Sequence, residues 1–357
     1  MDAKITKQRL SRMLSYDWLK IVGIIVAICI VWSLVFTMTA TQITPTQKFH
    51  VYNYVGNSAF SDKFNNLYNQ ALRDEFSYEI LELGSENLGE EVNTILEARF
   101  AVGEGDLMFI AHAKNEKDSY KLEGDENVYY YNYTETFARG RFRNLYALEG
   151  ENNYFTQYET YLSKYYVDGN WKTGALDEEK VKADFRERVE KDKRFKTETQ
   201  LLQGEKDDIA RIESYRDALA EFYVYLNDMK IVRFETVTVN FSETESKEFT
   251  CYLNLNPTTP VLDEAGKVKT DEYGNVISKE TAAGLTDYLS YYETIMNEKG
   301  EVEKSRTSKN MCVGFLTMDH LKEKYRTEEG FQCEDLLFVN MLIRAANNIE
   351  KADDIEK

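Results

Sequence analysis

Residues 48–111 read KFHVYNYVGNSAFSDKFNNLYNQALRDEFSYEILELGSENLGEEVNTILEARFAVGEGDLMFIA, and this stretch decides the fold. Lys48 to Val55 is rich in β-branched and aromatic residues and stops at Gly56-Asn57-Ser58, which is strand followed by turn chemistry. Phe60, Phe64, Leu67, Tyr68, Ala71 and Leu72 then recur at three and four, the spacing of an amphipathic helix, with Ser58 or Ser61 placed to cap it. Tyr78 to Leu83 predicts a second strand. Val92, Ile95, Leu96, Arg99 and Phe100 mark a second helix closing at Gly103 and Gly105, and Asp106 to Ala111 a third strand. Alternation of strand and helix at this interval predicts a βαβαβ unit on a parallel sheet.

Upstream, Ile21 to Ala40 is a run of twenty uncharged residues, just enough helix to cross about 30 Å of hydrocarbon. Lys4, Lys7, Arg9, Arg12 and Lys20 precede it against Asp2 and Asp17, which predicts a cytoplasmic N-terminus and an extracytoplasmic remainder. A cleaved signal fits less well, because its apolar region runs to about 7–15 residues. A lipidated Cys29 fits least, since Ile28 is not the small residue that usually precedes such a cysteine.

The formal charge is −18 and the first twenty residues carry +3, so the rest carries −21. Nucleic acid and anionic lipid are therefore poor partners. Hydrophobic residues make up 43%, with 25 Tyr and 19 Phe, which is ample for a core spread over two lobes. Cys251, Cys312 and Cys333 outside the apolar run allow at most one disulfide, and such scarcity fits a bacterium with a single membrane.

With the aromatic strand VYNY, the phrase Ala101-Val102-Gly103-Glu104-Gly105-Asp106-Leu107-Met108 resembles the amino-terminal lobe of the extracellular solute-binding proteins of ABC importers, the sugar-binding type in particular. The likeness covers residues 48–112. Phe249 to Asn254 (FTCYLN) falls where such proteins carry a hinge-crossing strand, and Cys333 to Asn348 has the apolar spacing of their closing helix. The resemblance implies a small polar solute, such as a carbohydrate, captured in an interlobe cleft, with an ABC permease or other envelope protein as partner. Ligands of open α/β sheets sit beyond the carboxyl ends of the strands, which nominates Tyr54, Asn57 and His112, with Tyr252 on the hinge strand.

The middle of the chain predicts helices over 134–148, 153–166, 176–195 and 197–229. Tyr154, Tyr158, Tyr161 and Tyr165 fall on one helix face, which reads as core packing before it reads as a sugar-stacking platform. The charged stretch 176–195 reads as a solvated surface or as a docking face for another exported protein. Ile231 to Phe241 alternates as a half-buried strand. The near-copies DEAGKV at 263–268 and DEYGNV at 271–276 read as a hairpin; they lack the ligand pattern of a calcium loop.

Catalytic signatures are missing from the sequence. His50, His112 and His320 build no HExxH, and there is neither a Gly-x-Ser-x-Gly elbow nor a phosphate loop. The expectation is an α/β protein in six parts: a cytoplasmic basic segment 1–20, a transmembrane helix 21–40 and a linker 41–47, then a first lobe 48–125, a second, helix-rich lobe 126–304 with a hairpin near 262–278, and a segment 305–350 packing back. It has no cofactor or metal and captures a solute without catalysis. The alternative is an extracytoplasmic interaction or assembly protein using a degenerate solute-binding fold.

Overall fold

The computed structural model describes residues 7–39, 43, 47–55, 60–76, 78–89, 91–102, 104–111, 118–120, 129–131, 133–143, 145, 153–242, 245–270, 277–296, 302–316 and 333–350. The chain divides into two units, Met1–Ile43 and Thr44–Lys357. The first is built on α1 (Lys7–Thr39), whose segment Trp18–Val35 has a mean hydropathy of 2.5 and no buried residue. It is long and apolar enough to cross a membrane; a signal sequence shares that composition.

The second unit runs, in chain order, β1 (Lys48–Tyr54), α2 (Asp62–Asp74), β2 (Glu82–Asn87), α3 (Val92–Ala101), β3 (Leu107–Ala111), β4 (Asp118–Tyr120), β5 (Tyr129–Tyr131), α4 (Tyr133–Gly140), α5 (Tyr154–Ser163), α6 (Glu178–Arg188), α7 (Glu198–Tyr223), β6 (Arg233–Asn240), β7 (Ser246–Asn254), β8 (Thr258–Pro260), β9 (Ser278–Glu280), β10 (Tyr291–Met296), β11 (Val302–Thr307), β12 (Met311–Phe315) and α8 (Glu334–Asn347). Six strands form one mixed sheet in the order β2-β1-β3-β12-β7-β6. β1 is parallel to β2 and β3, as the βαβαβ pattern requires; β12 is antiparallel to β3 and β7, and β6 to β7. The remaining strands pair as the hairpins β4/β5, β8/β9 and β10/β11.

Alternation along the strands sorts side chains onto the two faces of this sheet. Phe49, Val51, Leu107, Phe109, Val313 and Phe315 point into one core, closed by α2, α5, α7 and α8. Tyr52, Tyr54, Met108, Ile110, Tyr252 and Cys312 point into a second, closed by α3 and α4. Both faces are therefore covered, which explains why β3 and β12 are apolar without interruption and buried at every position. α8 is buried nearly all round, with Phe338 set against Phe49, Phe64 and Tyr68 at 5.8, 5.7 and 5.3 Å.

Several expectations shift. The second strand begins at Glu82, after a turn at Tyr78-Glu79, where the sequence predicted 78–83. The six-stranded sheet joins β1–β3, which precede residue 125, with β6, β7 and β12, which follow it. FTCYLN is an interior strand of that sheet, with β12 and β6 on either side. The hairpin near 262–278 is β8/β9 extended by a Leu262–Val268 bridge; its second near-copy, 271–276, lies outside the described residues. All four cysteines are free thiols.

Gly105 shows why its phrase reads as it does. Its φ is +135°, and a Cβ there would meet Phe100 at 3.0 Å and Tyr52 and Leu316 at 3.2 Å. Asp106, fully buried, then accepts a 2.7 Å hydrogen bond from the His50 amide and locks β3 beside β1. Gly105→Ala should cost about 1–3 kcal/mol, read as a lowered midpoint in urea unfolding.

Candidate functional site

Of the four residues nominated by sequence, Tyr54 and Tyr252 are buried on the same face of the sheet. Tyr54 is 8% exposed with its ring edge-on to Phe137 at 5.8 Å, and Tyr252 is fully buried with its ring 5.0 Å from Phe142. Asn57 and His112 lie outside the described residues. The tyrosine face of α5 is also interior, since Tyr154, Tyr158, Tyr161 and Tyr165 are at most 5% exposed.

At the start of β1, charges gather round Glu104, just before Gly105. Lys48 donates to Glu104 at 2.8 Å, and Arg99 bridges Glu104 and Glu86 at 3.0 Å each. His50 stacks on Tyr52 and lies over Gly84, where a Cβ would come within 2.0 Å of the imidazole. Burial lowers the His50 pKa and outweighs the opposing pull of Glu104 and Asp106, so the neutral ring is the resting form. This turn carried the family resemblance, and its visible work is to join β1, α3 and β3.

A second cluster, which sequence reasoning missed, lies between the 78–79 turn, α6, α7 and α8. Asp208, 1% exposed, receives Arg188 at 2.6 Å, Arg211 at 2.7 Å and the Tyr78 hydroxyl at 3.0 Å. Arg188 also meets Glu79 at 2.9 Å. Burial alone would push the Asp208 carboxyl up, but the two guanidiniums more than offset it and hold the group below its ordinary range. Arg211 lies 5.3 Å from the Tyr215 ring centroid, and the Tyr215 hydroxyl donates to Glu334 at the first turn of α8. The only sequence signal was Val181, Phe185 and Val189 at spacing four, an apolar edge on an otherwise charged helix.

Arg188 and Arg211 face Glu79 and Asp208, and Glu334 joins this cluster through the Tyr215 hydroxyl and the field of Arg211. Burial raises the pKa of the Glu334 carboxyl, although the Tyr215 hydroxyl and Arg211 pull the other way. The arrangement fastens four segments, the 78–79 turn, α6, α7 and α8, to one another. Among the described residues no three His, Cys, Asp or Glu side chains are placed to hold a metal ion. Comparisons with family models, with curated proteins and with solved structures found no match for this chain.

Asp208→Asn should destabilise the protein by about 3–5 kcal/mol, because it leaves a buried guanidinium uncompensated. Glu334 has the opposite pH signature. With its folded pKa raised, its contribution is fully present below the unfolded value of about 4.3 and is lost as pH rises through the folded one. Thermal midpoints of Glu334→Gln should therefore fall less than those of the parent as pH climbs above the ordinary carboxylate range.

Proposed function

We propose that this chain is a membrane-anchored, extracytoplasmic interaction or assembly protein, a non-catalytic α/β domain that holds a protein partner close to the membrane surface. The observation that carries this reading is the single sheet: β12 lies hydrogen-bonded between β3 and β7, so strands from the N-terminal and C-terminal parts move as one. Capture by hinge closure needs two bodies that move against each other. The side chains that would line a cleft between them, Tyr54 and Tyr252, are packed into a core. The charge of −21 beyond residue 20 favours a partner with a basic face. The charged helix α6 offers one docking surface, with Glu178, Glu179, Glu187 and Glu190 exposed on or just beyond it. In a single-membrane bacterium the short linker 41–47 would keep all of this near the bilayer, with the N-terminus cytoplasmic.

The second reading is solute capture, in the two-lobe manner of the ABC-importer proteins, with a permease as partner. Its support is topological: β1 and β3 are parallel neighbours, so both carboxyl ends open at one edge of the sheet, and Asn57 and His112 follow those ends in sequence.

Two measurements test the primary reading. In intact spheroplasts a C-terminal epitope should be digested by added protease while an N-terminal one is protected; the reverse pattern would sink the extracytoplasmic assignment. A photo-cross-linking residue at Glu179 or Glu187 in the full chain should yield one discrete protein adduct in cells. No adduct, together with a saturable thermal shift of several degrees on adding a sugar or amino acid that Asn57→Ala abolishes, would transfer the case to solute capture.

A further inference from the structure

Two strands bound the six-stranded sheet, β2 on one side and β6 on the other. A bounding strand turns half of its backbone amides and carbonyls away from the sheet, where another chain can pair with them. β2 is guarded against that: it is six residues long and carries Glu82, Gly84 and Glu86. β6 has no such guard. Residues 234–242 read FETVTVNFS, without proline and with Glu235 as their only charge in a chain that is 30% charged, and their Thr and Val favour extended backbone.

The alternation of the ladder fixes which groups face outward. The Phe241 amide donates to the Glu245 carbonyl at 2.9 Å across the β6/β7 turn, so Val239 and Val237 bond to β7 as well, whereas Asn240, Thr238 and Thr236 turn their backbone the other way. Two contacts agree with this. The Asn240 amide donates away from β7, to the Glu135 carboxylate at 2.7 Å, and the Thr236 and Thr250 hydroxyls lie 2.9 Å apart, the close approach of a pair that shares no backbone bond. Thr236 and Thr238 each present an amide and a carbonyl to the open side. Among the described residues no hydrogen bond reaches those groups, and both residues are exposed.

A second copy of the chain matches this edge. Antiparallel pairing about a two-fold axis at Val237 sets Thr236 of each copy opposite Thr238 of the other. It closes four hydrogen bonds with the unpaired groups and leaves the Asn240–Glu135 contact in place. The same register brings Val237 against Val237 and Glu235 against Val239, so no charge meets a like charge. Val237 and Val239 belong to the second core, and their apolar row would continue across the axis. Two chains that each carry −21 beyond residue 20 repel over most of their surfaces, and this nearly uncharged strand is where their approach costs least.

We propose that β6 is a dimerisation edge, at which two copies pair β6 to β6 antiparallel and join their six-stranded sheets into one. The pairing goes beyond both functional readings, since it needs neither a solute nor a foreign partner.

The full chain carrying Cys29→Ser, which removes the exposed thiol, is purified in detergent and its mass followed by light scattering against concentration. A monomer–dimer equilibrium is expected. Thr238→Pro keeps every bond to β7, because the amide it removes faces outward, and takes two of the four bonds from the pair. Association should weaken about tenfold or more, at a thermal midpoint unchanged in dilute solution. Facing Cβ atoms at the axis come within about 5 Å, so Val237→Cys should give a disulfide-linked dimer on mild oxidation, whereas Glu248→Cys, one strand further in, should not. A monomer at every concentration, which would leave the edge to a strand of another protein, a dimer that survives Thr238→Pro, or a Val237→Cys chain that links no better than Glu248→Cys would each overturn the proposal.

Discussion

Everything in the Thr44–Lys357 unit depends on where β12 pairs. Five residues, 311–315, return to the centre of the sheet and hydrogen-bond to β3 on one side and β7 on the other. Gly314 is opposite Met108 and Tyr252 at once, and the Phe142 ring stands 2.4 Å from where its Cβ would be. One strand thereby sets the register of the parallel half against the antiparallel half and places side chains in both cores. β3 precedes β12 by about two hundred residues and β7 precedes it by about sixty, so loop-closure entropy must be met before these contacts form. Local helices can form first, but the sheet faces have no lasting cover until β12 is in place.

The parts legible in the sequence were those whose period is strong and whose neighbours are local. Phe64, Tyr68 and Ala71 on α2, the capped α7 and the apolar α8 could be read directly. Tyr78 to Leu83 could not. Tyr78 and Ile80 alternate with acids as a strand would, yet Tyr78 and Glu79 serve Arg188 and Asp208 from a turn, while Ile80 enters the core. β2 itself, ELGSEN, has low strand propensity and exists because β1 offers an edge; tertiary pairing overrides local preference there. Tyr52, Tyr54 and Tyr252 were equally ambiguous, since an aromatic at a strand end looks alike whether a helix or a ligand covers it. α3 and α4 decide that question, and their placement is not a local property.

The buried ion cluster makes a related point about charge. A chain this acidic repels itself at its surface, yet inside it Asp208 needs Arg188 and Arg211 together with the Tyr78 hydroxyl. These groups come from three segments, and Tyr215 extends the set to Glu334 on a fourth. No subset of those segments satisfies the cluster, so partial folds carry uncompensated charge and are penalised. A second fastening repeats the logic, where Arg344 on α8 reaches Glu221 at 2.7 Å and Glu75 at 2.8 Å. Hydrophobic burial places α8 roughly; these ion pairs fix its rotation and reach.

Such a construction also dictates where recognition can occur. With both faces of the sheet covered and most of the described aromatic side chains turned inward, what the second unit offers to other molecules is helix exteriors, loop surfaces and strand ends and edges. α5 is the clearest case of one helix serving both needs. Its Tyr154, Phe155, Tyr158, Tyr161 and Leu162 positions are buried, whereas Thr156 and Thr160 are exposed and Glu159 and Ser163 half-exposed. The period that drives the tyrosines inward necessarily sets Thr156, Glu159, Thr160 and Ser163 outward one turn apart, while Trp171 beyond the helix joins the tyrosines in the core. A packing requirement has thus aligned a row of polar side chains with no further constraint on the sequence than the choice of Thr, Glu and Ser at the four outward positions.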